Sequence, residues 1–200
     1  MTFGFAPSRA ASSPGAGSAT RVLEPAEWTA AGIPLLRSPR DVVSGLYSRH
    51  FPRPATVVVA VLDHEERLRA SASFRSRSPL ADGWMHRNAL LAQLRRVIPH
   101  DLRRRTPVRT AVLLHCRPGE PRWTVEDGAW MWGLRDACTL HGLRCGAYIT
   151  LTDEGWRVLG EDRAGRRPHT ASATTSASSG PEGTPGDVAG EGVLPRAVAG

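Results

Sequence analysis

The sequence predicts an α/β fold of the α+β kind, a mixed β-sheet flanked by helices in a single domain with disordered tails. Three observations predict it. Two apolar, β-branched runs, TVVVAVL at Thr56–Leu62 and TAVLLH at 110–115, have the length and composition of buried strands. Helix-like stretches with caps and breakers alternate with them. The two ends, 1–21 and 164–200, are dominated by Ala, Ser, Gly, Thr and Pro. Their lack of apolar periodicity leaves nothing to offset the entropy of ordering them. The domain is therefore expected over residues 22–163.

The elements follow in order. Residues 25–32 read as a short helix or turn. Ser38-Pro39-Arg40-Asp41 opens a helix, with Ser38 as cap, Pro39 at the first helical position and Val42, Val43, Leu46 and Tyr47 as its apolar stripe. Pro52 and Pro54 close it. After the first strand, Asp63-His64-Glu65-Glu66 is a turn, and residues 67–74 alternate through Leu68, Ala70, Ala72 and Phe74 as the second arm of a hairpin. Residues 85–97 form an amphipathic helix, with Ala89, Leu90, Leu94, Val97 and Ile98 inward and Arg87, Arg95 and Arg96 outward. Pro99 ends it. Beyond the second buried strand, Arg117-Pro118-Gly119-Glu120-Pro121 makes a rigid loop. Thr124 and Asp127 form a capping box for a helix that ends at Gly142. Trp130, Trp132, Leu134, Ala137, Cys138 and Leu140 spread apolar surface around it, as a buried helix requires. Residues 144–150 and 156–159 are the last two strands, joined by a turn ending in Gly155.

Composition narrows the function classes. The chain has no apolar run near the roughly 18 residues of a membrane span and no signal-peptide core, so a cytoplasmic protein without membrane partners is expected. Three cysteines fit a reducing compartment. The 26 basic residues are all arginine. A GC-rich genome accounts for that bias as well as a function does. The charge is nonetheless uneven. Arg87, Arg95, Arg96, Arg103, Arg104, Arg105, Arg109, Arg117 and Arg122 face only Asp101 and Glu120, so this stretch carries the net charge of +7. Together with Trp123 these arginines are a candidate binding surface for an acidic partner or nucleic acid.

Three stretches together resemble the RadC-like JAB/MPN (JAMM) domain family. TVVVAVLDHEERLRASASF at 56–74 looks like its opening hairpin. HCRPGEPRWTVED at 115–127 looks like its metal-binding loop. WGLRDACTLHGLRCGAYITLTDEGWRVL at 132–159 looks like the helix, glycine and terminal hairpin that follow. The resemblance covers about residues 38–159 and implies a cytidine-deaminase-like architecture. It also implies a catalytic zinc held by two histidines and an aspartate, with a water in the open position whose pKa the metal brings to about 7. An upstream glutamate would be the general base and a serine would assist at the oxyanion.

Carried across, the motif is degenerate. His115 and Asp127 match two ligands, but the other ligand position holds Arg117, and a guanidinium has no lone pair to offer. The loop is one residue shorter than the family pattern. Thr124 stands for the serine, Asn88 for the base, and Ala147-Tyr148 for a terminal Asp-His pair. The resemblance thus implies a binding or scaffold protein without a cofactor, its partner most often another protein. His115, Arg117 and Asp127 are its vestigial metal positions. Asn88 and Thr124 are its degenerate catalytic positions. Arg117 is expected to fill the vacated metal position and pair with Asp127. A nucleic-acid role for the arginine patch is an alternative. So is a zinc-dependent isopeptidase or peptidase with substitute ligands drawn from Cys116, Cys138, His141 and Cys145.

Overall fold

A computed structural model describes residues 21–33, 35–76, 82–98 and 109–168. In chain order the elements are α1 (Pro25–Ala30), α2 (Pro39–His50), β1 (Thr56–Leu62), β2 (Leu68–Arg75), α3 (Gly83–Val97), β3 (Thr110–Cys116), α4 (Val125–His141), β4 (Arg144–Leu151), β5 (Trp156–Val158) and β6 (Ala164–Gly165). The strands form one mixed sheet in the order β2-β1-β3-β4-β5-β6. Only β3 and β4 run parallel, and α4 is their crossover; the other neighbours are antiparallel.

The unbroken apolar run of β1 is explained by burial on both faces. Val57, Val59 and Val61 belong to one apolar cluster, which Leu90 and Leu94 of α3 and Trp130, Met131 and Leu134 of α4 complete. Val58, Ala60 and Leu62 belong to the other, under Val43 and Leu46 of α2. Strand β2 is an edge strand in which Arg69, Ser73 and Arg75 are exposed, while Ser71 breaks the expected alternation, half-buried with its Oγ 2.8 Å from His50 Nε2 of α2.

The β1–β2 turn is tied by Asp63, whose Oδ1 accepts from Glu65 N and Arg67 N, each at 2.9 Å. Glu66 adopts φ 62°, and its carboxylate accepts from Arg37 N at 2.9 Å. This corrects the capping expected of Ser38, whose side chain makes no cap hydrogen bond. Glu66 supplies the acceptor just ahead of α2 from the neighbouring hairpin. In α4 the expected cap is present in full. Thr124 Oγ1 accepts from Asp127 N, Asp127 accepts from Thr124 N, and Gly142 ends the helix in the left-handed conformation at φ 71°.

The domain extends past the expected boundary at residue 163. Ala164 and Gly165 pair with β5, and Gly165 lies so close under Trp156 that an added Cβ would come within 2.7 Å of its ring. A strand of two residues cannot show periodicity, which is why the sequence pattern missed it. The remainder of the expected tails, residues 1–20 and 169–200, lies outside the described residues. Among the described residues no helix is long and apolar enough to cross a membrane.

Helices α3 and α4 meet through glycine. A Cβ on Gly133 would stand 2.8 Å from Arg87 N and 3.1 Å from Gly83 O, both backbone atoms that cannot swing aside. Gly133→Ala is expected to destabilise the protein by about 1–3 kcal/mol in urea unfolding, despite alanine's better helix propensity. Unchanged or raised stability would show that the two helices do not pack this closely.

Candidate functional site

The candidate site is built where β3, the loop after it, α4 and β4 converge. Strand alternation puts His115 on the α3/α4 side of the sheet, opposite Val57 of β1, and puts Cys116 on the α2 side. Arg117 N then donates to Leu151 O at 3.0 Å, which holds the chain beside β4 as it leaves the sheet. Gly119, at φ 85°, lets the loop curl back. The first turn of α4 points Asp127 inward, and β4 supplies Tyr148 from below.

Asp127 is wholly buried and its two oxygens are saturated. Oδ1 accepts from Tyr148 Oη at 2.8 Å and from Arg117 Nε at 3.1 Å, and His115 Nδ1 lies 3.4 Å away. Oδ2 accepts from Arg117 Nη2 at 2.8 Å, Thr124 Oγ1 at 2.8 Å and Thr124 N at 2.9 Å. The rest of the guanidinium is equally occupied. Its Nη1 donates to Glu120 O at 2.9 Å and Pro118 O at 3.3 Å, and Nη2 also donates to Arg122 O. One side chain thus binds the helix-start carboxylate and three carbonyls of its own loop.

The protonation pattern follows from these contacts. Tyr148 gives its proton to Asp127, so its oxygen accepts from His115 Nδ1 at 2.9 Å. His115 then carries a proton on Nδ1, and its Nε2 lies 3.8 Å from Glu126 Oε1. Burial would raise the Asp127 pKa. The hydrogen bonds of His115 and Arg117, the Arg117 charge and the Thr124 hydroxyl outweigh that and bring it down to about 2. Burial, with the Asp127 charge and hydrogen bond, pushes the Tyr148 hydroxyl well above its ordinary value, so it stays a donor.

His86 completes the neighbourhood. It is buried in α3 and lies flat on Trp130, centroids 3.7 Å apart at 9°, while Trp130 also faces His115 at 5.8 Å. Burial, and secondarily the positive charge His115 can carry, lower its pKa to about 4. His86 was not singled out from the sequence, and Tyr148 entered only as the counterpart of the terminal histidine of the resembled motif, with no partner assigned to it. The available signals were His86 on the Leu90–Leu94 stripe at four-residue spacing, and a tyrosine hydroxyl in an apolar strand, which needs a partner when buried.

Asn88 does not reach this cluster. It is exposed on α3 and accepts from Arg87 through its Oδ1. Thr124 does reach it, but its hydroxyl is committed to Asp127. The substitute ligands are dispersed. Cys116 lies across the sheet from His115, its Sγ 3.7 Å from Pro52 O. Cys138 and Cys145 adjoin each other at the far end of α4. Among the described residues no three His, Cys, Asp or Glu side chains are grouped to hold a metal ion. A guanidinium at the centre and a carboxylate without a free lone pair do not fit a zinc centre.

The expected basic surface is corrected in two places. Arg117 is buried, because its guanidinium holds the loop together. Trp123 is half-buried, packed on the core with Nε1 donating to Leu23 O at 3.3 Å. Arg87 pairs with Asp136 at 3.2 Å and stacks over Trp84 at 3.6 Å. Arg95, Arg96 and Arg122 are exposed, and Arg122 pairs with Glu120 at 2.9 Å. Arg103, Arg104 and Arg105 lie outside the described residues.

No family model matches this sequence, and no curated protein matches it either.

The pKa of His86 gives a pH signature. The unfolded chain takes up this proton near pH 6.5, the folded protein only near pH 4, so the unfolded state binds more protons between the two. Stability is expected to fall by about 3 kcal/mol from this group as pH drops from 6.5 to 4. Asp127 adds a second loss between about pH 4 and pH 2. Urea unfolding across this range should show both. In His86→Phe, which keeps the stack on Trp130, the first slope should shrink by more than half; an unaltered slope would remove His86 as its source.

Proposed function

We propose that this chain is a non-catalytic domain of the RadC-like JAB/MPN type, a binding or scaffold module in the cytoplasm that works without a metal. One observation carries the reading: both oxygens of Asp127 accept from Arg117, and Thr124 and Tyr148 fill the remaining acceptor positions. A metal ligand needs a free lone pair, and a dication would meet the guanidinium's charge. The convergence of His115, residue 117 and Asp127 at one end of a mixed sheet, with a crossover helix beginning at Asp127's turn, supports the kinship.

The partner in this reading is a protein. A nucleic-acid surface is less well supported, since Arg117 and Trp123 are turned inward and Arg87 and Arg122 are paired with carboxylates. A hydrolase with substitute ligands would need Cys116, Cys138, His141 or Cys145 near His115, and Cys116 is on the other side of the sheet.

Metal analysis tests the reading. Protein expressed with added zinc and purified without chelators is expected to carry far less than one zinc per chain. It should keep its melting temperature after treatment with a chelator. Stoichiometric zinc that is lost on His115→Ala would overturn the proposal and return the domain to the metallo-hydrolases.

A further inference from the structure

The vestigial metal site does not account for a second feature nearby. A cleft of about 450 Å³ is lined by the end of β2, by α3 and by Trp130 of α4. Its size falls within the range of small-ligand pockets, and like them it joins an apolar wall to a few polar groups. Phe74, Met85, Ala89 and Trp130 form the wall. Arg75, exposed at the last position of β2, and Gln93 of α3 supply the polar side. Arg75 makes no ion pair among the described residues, in contrast to Arg67, Arg69 and Arg87.

The wall also holds two polar atoms without partners. Trp130 Nε1 and His86 Nε2 are buried, and among the described residues neither has a hydrogen-bond partner. Both residues line the cleft. An indole N–H can only donate. Buried donors left unmade are uncommon in folded proteins. The two nitrogens are closed to solvent.

We propose that this cleft binds a carboxylate carried on an apolar or aromatic body, the carboxylate meeting Arg75 and Gln93 and the body lying against Phe74 and Trp130. The cation selects the charge, the amide adds a donor, and the aromatic wall takes the apolar part. A free aryl or alkyl carboxylic acid and the C-terminal residue of a polypeptide share this chemistry. The proposal goes beyond the non-catalytic reading and does not depend on it, since it involves no metal position.

Calorimetric titration with 3-phenylpropionate, and with a short peptide ending in phenylalanine, tests the site in the full chain. Saturable binding of at least one is expected; binding of the peptide alone assigns the ligand to a polypeptide end. The corresponding amides, 3-phenylpropionamide and the C-terminally amidated peptide, should bind about tenfold more weakly or not at all. Arg75→Ala, a change at an exposed position, should weaken the carboxylates to a similar degree. The Trp130 indole N–H resonance should shift with saturation in the wild type. No saturable binding by either carboxylate, equal binding of the amides, an unaffected Arg75→Ala variant, or a silent Trp130 resonance would each overturn the proposal. None of these outcomes bears on zinc content, so the two readings fail separately.

Discussion

The arrangement around the site depends on one buried ion pair. Arg117 and Asp127 lie ten residues apart at the end of a strand and the start of a helix, and both are removed from water. Two charges in such a place are costly unless every hydrogen-bonding position is used. Here they are used. The guanidinium binds both carboxylate oxygens through its Nε–Nη2 edge and takes three loop carbonyls, and the carboxylate receives the helix cap, a threonine hydroxyl and a tyrosine hydroxyl. The pair therefore fixes the loop, the entry of α4 and the adjoining face of β4 at once. A buried pair of this kind adds little net stability over an apolar substitute, but losing one member leaves the other orphaned.

The surrounding fold makes that constraint possible. The sheet is covered on both faces, so the ends of β3 and β4 are dry where the pair sits. Trp130 connects the pair to the rest of the helical layer, facing His115 on one side and stacking on His86 on the other. His86 can be neutral there because burial opposes its charge. The close approach of α3 and α4 at Gly133 brings that histidine onto the tryptophan. Trp130 and His86 also line the cleft beside β2, so the stacked pair borders both the packed interior and that cleft.

Much of this could be read from residue types. The β-branched runs at β1 and β3 announce doubly covered strands, and the Thr124–Asp127 box and Gly142 announce both ends of α4. The site was legible where chemistry is local, as with His115, Arg117 and Asp127 around one loop. It was not legible where partners meet across the sheet. Tyr148 comes from a strand that neighbours β3 only through a crossover, and His86 arrives from a helix that sequence spacing alone does not dock. Ser38 has the right chemistry for a cap, yet Glu66 of the hairpin supplies the acceptor instead. Trp123 looked like surface because a loop tryptophan usually is; the sequence places Arg117 both in the basic patch and as the partner of Asp127, and its burial agrees with the second reading.

The most direct test of the central claim is a double-mutant cycle on Arg117 and Asp127, read by equilibrium unfolding. The account predicts that Arg117→Ala costs roughly 3–5 kcal/mol, because it strands a buried carboxylate, and that adding Asp127→Asn recovers much of the loss. An Arg117→Ala protein within about 0.5 kcal/mol of wild type, the usual range for a surface substitution, would contradict it and leave Arg117 as one more charge on a basic exterior.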